Sequence, residues 1–188
     1  PQVSVDREYA MTLSLEKLYN LGHRKIALFG IRDDVIYGSE RVKALKQASE
    51  KLGLEWGRDV VTILDKDFAG MNYEGGRRLA SLFLEEATEC SSILAINDQV
   101  AIGAMGYLQG KGISIPSDVS VMGFDNLDVS SHLHPTLASI DQCIYYSTTE
   151  SVNLLIDGMT AKGESSNRRV KVKPEFIEGE SIGPARSH

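Results

Sequence analysis

Four side chains, Arg41, Phe68, Asn97 and Asp125, have the chemistry to bind a polar small molecule. A guanidinium presents a planar fork of donors to hydroxyls or a carboxylate, and an aromatic ring offers a flat apolar platform. An amide and a carboxylate would complete such a pocket. Each residue also has a simpler structural interpretation, respectively a solvated arginine, a local packing contact, a helix cap and a turn residue.

Motifs for other kinds of chemistry are weak or missing in the sequence. Neither a GxGxxG nor a Walker A pattern occurs, and Gly38-Ser39 lacks the second glycine of a nucleophile elbow. His132 and His134 with Asp128 could bind a metal, but such groups are more often loop residues. His23, after Gly22, is better explained by capping or packing than by catalysis. We predict no catalytic residue, no metal and no cofactor, so the chain is not expected to be an enzyme.

Composition restricts the partners and the compartment. The chain has 188 residues, with 20 Lys+Arg and 26 Asp+Glu, giving a formal net charge of −6. Because affinity for DNA comes mostly from cations that neutralise phosphates, this chain is a poor DNA binder by itself. Cys90 and Cys143 are the two cysteines, which fits a reducing compartment. No apolar stretch of about 20 residues and no basic-apolar leader occurs, so we expect a cytoplasmic protein without a membrane partner.

Strand and helix patterns alternate along the chain. The Glu8–Leu21 segment repeats apolar residues at helical spacing and ends before Gly22. Further helices are predicted from Ser39, from about 73 and from Gln99, the last capped by Asp98, and a final one covers 145–159. Short apolar runs predict the strands 25–29, 60–64, 92–96, 119–122 and 137–140.

This order of elements predicts an α/β fold, a doubly wound parallel sheet with helices on both faces. Ligands of such sheets bind at the carboxyl ends of the strands. The four candidate residues follow different predicted strands, so we expect all four at one edge of the sheet.

Several segments together resemble the LacI/GalR family of transcription regulators, over residues 3–182. The matching segments are Gly22-His-Arg-Lys-Ile-Ala27, Ser39-Glu-Arg41, Asp67-Phe68, Asn97-Asp-Gln-Val-Ala-Ile-Gly-Ala104, Ile115-Pro-Ser-Asp-Val-Ser-Val-Met-Gly-Phe-Asp125 and Pro135-Thr-Leu-Ala-Ser-Ile-Asp-Gln142. The resemblance implies a periplasmic-binding-protein-like effector domain. It also implies that residues 1–136 and 161–188 form the C-terminal lobe, and that 137–160 are a strand and helix of an N-terminal lobe that the chain otherwise lacks.

The resemblance also assigns roles to residues. It implies that Arg41, Phe68, Asn97 and Asp125 contact the effector, with Asp98 supporting them as a helix cap. The expected effector is a sugar or sugar-like molecule, because a vicinal diol can bridge an arginine fork and a carboxylate. A candidate homodimer interface contains Ile102, Met105, Ser131 and Leu133, although the helical pair could instead face the sheet.

The implied function is allosteric control of operator DNA through a helix-turn-helix domain outside this sequence, as in a repressor. The sequence departs from the family pattern at Arg7, Ala10, Ala44-Leu45 and Asn126, which affects the rim of the pocket. Two alternatives stay open at this point, a sugar-binding protein of a transport system and a small α/β enzyme. Without the rest of the N-terminal lobe, the strand at 137–140 is expected to be mobile or to pack differently.

Overall fold

The computed structural model describes residues 1–31, 36–66, 70–160 and 168–186, and it describes no side chains at 36–38 or 160. In chain order the elements are β1 (Gln2–Val5), α1 (Arg7–Asn20), β2 (Ile26–Phe29), α2 (Ile36–Lys51), β3 (Val60–Ile63), α3 (Tyr73–Glu86), β4 (Ser92–Ala95), α4 (Asp98–Gly110), β5 (Ser120–Met122), a 3₁₀ helix (Asp128–His132), β6 (Ser139–Asp141), α5 (Ile144–Thr160), β7 (Arg169–Val172) and β8 (Glu175–Ile177).

A parallel sheet in the order β3-β2-β4-β5 forms the centre of the fold. Strands β2, β4 and β5 are buried at every position, as expected for apolar strands covered on both faces. Helices α1 and α2 pack together on one face, and α3 and α4 pack together on the other. The predicted α/β class, with helices on both faces of a parallel sheet, is confirmed.

The contact between α3 and α4 depends on two glycines. A Cβ atom at Gly76 would collide with the carbonyl of Val100, and one at Gly103 would collide with the carbonyl of Tyr73. Because neither position has room for a side chain, the two helices approach backbone to backbone. This contact fixes the start of α4, and with it Asn97, relative to the sheet.

The segment 137–140 was expected to be mobile or to pack differently, and in the structure it packs into the main body of the fold as part of a paired strand. Strand β6 pairs antiparallel with β8, and Ala138 forms a bridge with Met122 at the end of β5. The Gly123 amide donates to the Ala138 carbonyl at 2.9 Å, and the Asp125 amide donates to Ile140 at 2.9 Å. Leu137, Ala138, Ser139 and Ile140 are all buried. The strand therefore has partners for its backbone on both sides and belongs to the main core.

Helix α5 packs against a second, smaller parallel pair formed by β1 and β7. The predicted boundaries placed β1 and β7 in one lobe, with β6 and α5 in the other, whereas the packing joins α5 to β1 and β7 and joins β6 to the main sheet. How these elements divide between two lobes of a longer protein stays a prediction. Among the described helices, none is long and apolar enough to cross a lipid bilayer.

Candidate functional site

Three of the four predicted site residues converge at the carboxyl edge of the main sheet. Arg41 extends from α2, and its Nη1 donates to the carbonyl of Ile96 at 3.0 Å, directly before Asn97. The guanidinium carbon of Arg41 lies 4.6 Å from the centroid of the Phe124 ring, directly before Asp125. The ends of β4 and β5 are thus joined by one arginine side chain.

Arg41 and Asp125 carry opposite charges at this edge, and each charge affects the pKa of the other group. Burial lowers the pKa of Arg41, while the charge of Asp125 raises it and that of Arg7 lowers it. For Asp125, burial raises the pKa and the charge of Asp98 adds to this rise, whereas a hydrogen bond from Gln142 and the charge of Arg41 lower it. Among the described residues, nothing accepts a hydrogen bond from the buried Nε of Arg41. A ligand oxygen would satisfy this donor.

Asp125 has an unusual backbone conformation. Asp125 has φ 119° and the next residue, Asn126, has φ 55°, a region that L-amino acids seldom adopt. Gln142 Nε2 donates to Asp125 Oδ1 at 2.5 Å. Gln142 was not predicted as a site residue, although it is the last residue of a motif that carried the family resemblance.

Asn97 has a structural role in addition to its place at the rim. Its Oδ1 accepts from the Val100 amide at 2.9 Å, so it caps α4, and its Nδ2 donates to the Met71 carbonyl at 2.9 Å. The prediction that Asp98 caps this helix was therefore wrong. The cap must be the extended residue just outside the helix, and that residue is Asn97, with φ −156° and ψ 171°.

Asp98 is instead a fully buried carboxylate with three donors. The Leu127 amide and the Ser130 hydroxyl each donate to Oδ2 at 2.7 Å, and the Ser139 hydroxyl donates to Oδ1 at 2.6 Å. A buried carboxylate is tolerated where hydrogen bonds replace its water shell. Because these donors come from three separate segments, Asp98 ties α4 to the loop after β5, to the 3₁₀ helix and to β6.

Phe68, the predicted aromatic platform, lies outside the described residues.

The predicted dimer interface is only partly exposed. Met105 is 3% exposed, and from α4 it packs into the core that α3 and α4 form with the sheet. Including it in an exposed interface was therefore wrong. Ile102 and Leu133 are half-buried against the same core, and Ser131 is exposed. Helical periodicity identified an apolar side of α4 but not the layer that covers it.

A cleft of about 440 Å³ lies between β1, β7 and α2. Its lining includes Asp6, Arg7, Glu40 and Lys171, but neither Arg41 nor Asp125. Lys171 contacts Asp6 at 2.9 Å and Arg7 contacts Glu40 at 3.5 Å. Paired charges therefore line this cleft.

His23 is buried at the opposite edge of the sheet. Its Nδ1 lies 2.7 Å from Ser91 Oγ, and its Nε2 lies 3.1 Å from both Ser120 Oγ and the Gly183 carbonyl. Because the Gly183 carbonyl only accepts, Nε2 carries the proton, and Ser91 donates to Nδ1. These contacts support the packing interpretation of His23. Among the described residues, no group of three or more His, Cys, Asp or Glu side chains could hold a metal ion.

Comparison with known proteins identifies the family. A family profile described as "Periplasmic binding protein-like domain" matches residues 15–182. The chain belongs to this family.

Relatives of this periplasmic binding protein-like domain include proteins named as transcription regulators. The chain is 26% identical over 160 residues to the HTH-type transcriptional regulator CelR of Thermobifida fusca, covering 85% of this chain and 46% of that protein. It is 29% identical over 168 residues to catabolite control protein A of Priestia megaterium, covering 89% of this chain and 49% of that protein. The chain therefore spans about half the length of these relatives.

A solved structure of a LacI family transcriptional regulator from Enterococcus faecium with bound ribose has the same fold. Its TM-score is 0.86 at 25% identity, over 98% of this chain and 66% of that chain. The resemblance to LacI-family regulators that the sequence motifs indicated is thus confirmed.

Proposed function

We propose that this chain is the effector-sensing part of a LacI-type transcriptional regulator, and that it binds a small, hydroxyl-rich ligand at the edge defined by Arg41 and Asp125. Binding would change the affinity of a separate helix-turn-helix domain for operator DNA. The names of CelR, an HTH-type transcriptional regulator, and of the LacI family transcriptional regulator from Enterococcus faecium support this class over an enzyme.

One observation carries the ligand proposal. Arg41 has a buried donor without a protein partner among the described residues, and the half-buried carboxylate of Asp125, with the opposite charge, lies at the same edge of the sheet. A vicinal diol matches this pair, because one hydroxyl accepts from the guanidinium while its neighbour donates to Asp125. Each hydrogen bond to a charged group contributes about 1.5–3 kcal/mol. Ribose, the sugar named for the Enterococcus faecium relative, has such diols.

In this proposal the control of transcription is a coupling between two sites. Effector and operator DNA each change the other's affinity through one shared free energy, typically about 1–3 kcal/mol. DNA contacts would come from the other half of the protein, since this chain has a net charge of −6. A homodimer would set the spacing of the two operator half-sites.

Isothermal titration with D-ribose and a panel of pentoses, hexoses and disaccharides tests the ligand class. Arg41→Lys keeps the charge but loses the fork, and Asp125→Asn keeps the shape but loses the charge, so each should weaken binding of a sugar that the wild type binds by about tenfold or more. Arg77→Lys is the matched control, because Arg77 is exposed on α3 in a pair with Glu74.

If no sugar binds to the wild type, or if Arg77→Lys weakens binding as much as Arg41→Lys, the proposed site is wrong. The regulatory step has its own test, in which operator-DNA affinity of the full-length regulator is measured with and without the bound sugar. An unchanged DNA affinity would leave a sugar-binding domain without the proposed control of transcription.

A further inference from the structure

Asp98 is a buried charged group with no direct place in the proposed ligand contacts. It has 0% exposure, and its two oxygens accept from Leu127, Ser130 and Ser139 at 2.6–2.7 Å. Burying an ionised carboxylate is costly even when it is hydrogen-bonded. We therefore ask which other contacts the three hydrogen-bond donors of Asp98 make.

Two of the partners connect Asp98 to the backbone that carries Asp125. The Ser139 hydroxyl donates to Asp98 and accepts from the Asn126 amide at 3.1 Å. The Leu127 amide donates to Asp98 directly. The two amides that follow Asp125 are therefore both tied to the same carboxylate, one through a serine and one without an intermediary.

The loop that these bonds hold is a strained one. Asp125 and Asn126 both have positive φ, and side-chain-bearing residues keep such conformations only where the surrounding structure imposes them. The loop also passes very close to Asp98, because a Cβ atom at Gly123 would collide with Asp98 Oδ1. The contact thus leaves this part of the loop little room to move.

We propose that Asp98 is a positioning residue that keeps the loop after β5 in its strained conformation, and with it the Asp125 carboxylate at the edge of the sheet that Arg41 also occupies. It acts through the Ser139 hydroxyl and the Leu127 amide and does not touch the ligand. This inference rests on the proposed function, since Asp125 needs a fixed position only if it binds an effector.

Two buried serines provide a matched pair of variants. Ser139→Ala and Ser130→Ala each remove one hydroxyl that donates to Asp98. Both serines are almost fully buried, at 0% and 2% exposure. Of the two, the structure links only Ser139 onward to Asn126. Replacing Asp98 itself would risk the fold, because its three donors would lose their acceptor together.

The first measurement needs no ligand. In the free protein, the ¹³Cα and ¹³Cβ shifts of Asp125 and Asn126 report the positive φ, and amide exchange of Asn126 reports its hydrogen bond. We expect Ser139→Ala to move these shifts and to speed the exchange by roughly threefold to tenfold, the size of one typical hydrogen bond. Ser130→Ala should change neither. Equal effects of the two variants, or no effect of Ser139→Ala, would overturn the positioning role.

The second measurement is titration with D-ribose, or with whichever sugar of the panel the wild type binds. Ser139→Ala should weaken binding by roughly threefold to tenfold, and Ser130→Ala should bind as the wild type does. Unfolding midpoints of both variants control for a general loss of stability. If the wild type binds none of the sugars, the proposed function fails, while the ligand-free comparison still decides whether Asp98 positions the loop.

Discussion

The guanidinium of Arg41 stacks on the ring of Phe124, with 4.6 Å between the guanidinium carbon and the ring centroid. Phe124 is fully buried, and Asp125 follows it directly. The ring therefore both completes the core above β5 and supports the cation of the proposed site.

Phe124→Leu should weaken sugar binding, because Arg41 loses the face on which it rests. A cation–π contact of about 0.5–2 kcal/mol corresponds to a roughly twofold to thirtyfold loss of affinity. Phe83→Leu is the matched control, since Phe83 is 1% exposed and packs edge-on against Phe29 in the other core. Titration and urea unfolding of both variants separate the two effects. Equal losses of affinity would show that Phe124 acts only through stability.

Asn97 and Asn72 cap two different helices, and we expect their replacement to destabilise the protein by different amounts. Asn97→Ala removes a cap and a bond to the Met71 carbonyl, whereas Asn72→Ala removes the corresponding cap of α3. A cap contributes about 0.5–2 kcal/mol, and the second hydrogen bond adds about 0.5–1.5 kcal/mol. Urea unfolding should therefore show the larger loss for Asn97→Ala. A smaller loss than for Asn72→Ala would contradict the double role of Asn97.

His23 predicts a dependence of stability on pH. Burial lowers the pKa of His23 below the ordinary value of 6.5. The hydrogen bond to Gly183 opposes this effect, and the charge of Arg24 lowers the pKa further. The unfolded chain then binds more protons than the folded one as pH falls below 6.5, so the free energy of unfolding decreases on acidification. The free energy of unfolding falls by at most about 1.4 kcal/mol per pH unit. This fall ends below the folded-state pKa of His23.

The measurement is urea unfolding at several pH values from 7.5 to 5.5. His23→Gln should be less dependent on pH than the wild type over this range, and His132→Gln, at an exposed position, should follow the wild type. A slope that is the same in all three proteins would show that His23 is not the group responsible.

Hydrogen exchange tests the placement of β6. The amides of Gly123 and Asp125 donate to carbonyls of residues 138 and 140, and both acceptors lie in the buried core. We expect these two amides to exchange as slowly as those of β2. The first-turn amide of Tyr145, a residue with 87% exposure, should exchange quickly, because the first amides of a helix have no partner within it. Fast exchange at Gly123 and Asp125 would restore the expectation of a mobile strand.

The sequence alone determined the class of the fold and three residues of the proposed site. Apolar runs between amphipathic segments specify a parallel sheet with covered faces, and the carboxyl ends of parallel strands lie at one edge. That reasoning was sufficient to predict that Arg41, Asn97 and Asp125 lie at the same edge of the sheet. The motifs at 97–104 and 115–125 added the family.

Only the tertiary structure decided how neighbouring polar residues divide their roles. Asn97 and Asp98 are both good capping residues, and which of them caps α4 depends on the donors that surround the other. Asp98 finds its donors at residues 127, 130 and 139, which no local pattern links to it. The same is true of Met105 and of β6, because the layer that covers a residue and the strands that pair with it are contacts between distant parts of the chain.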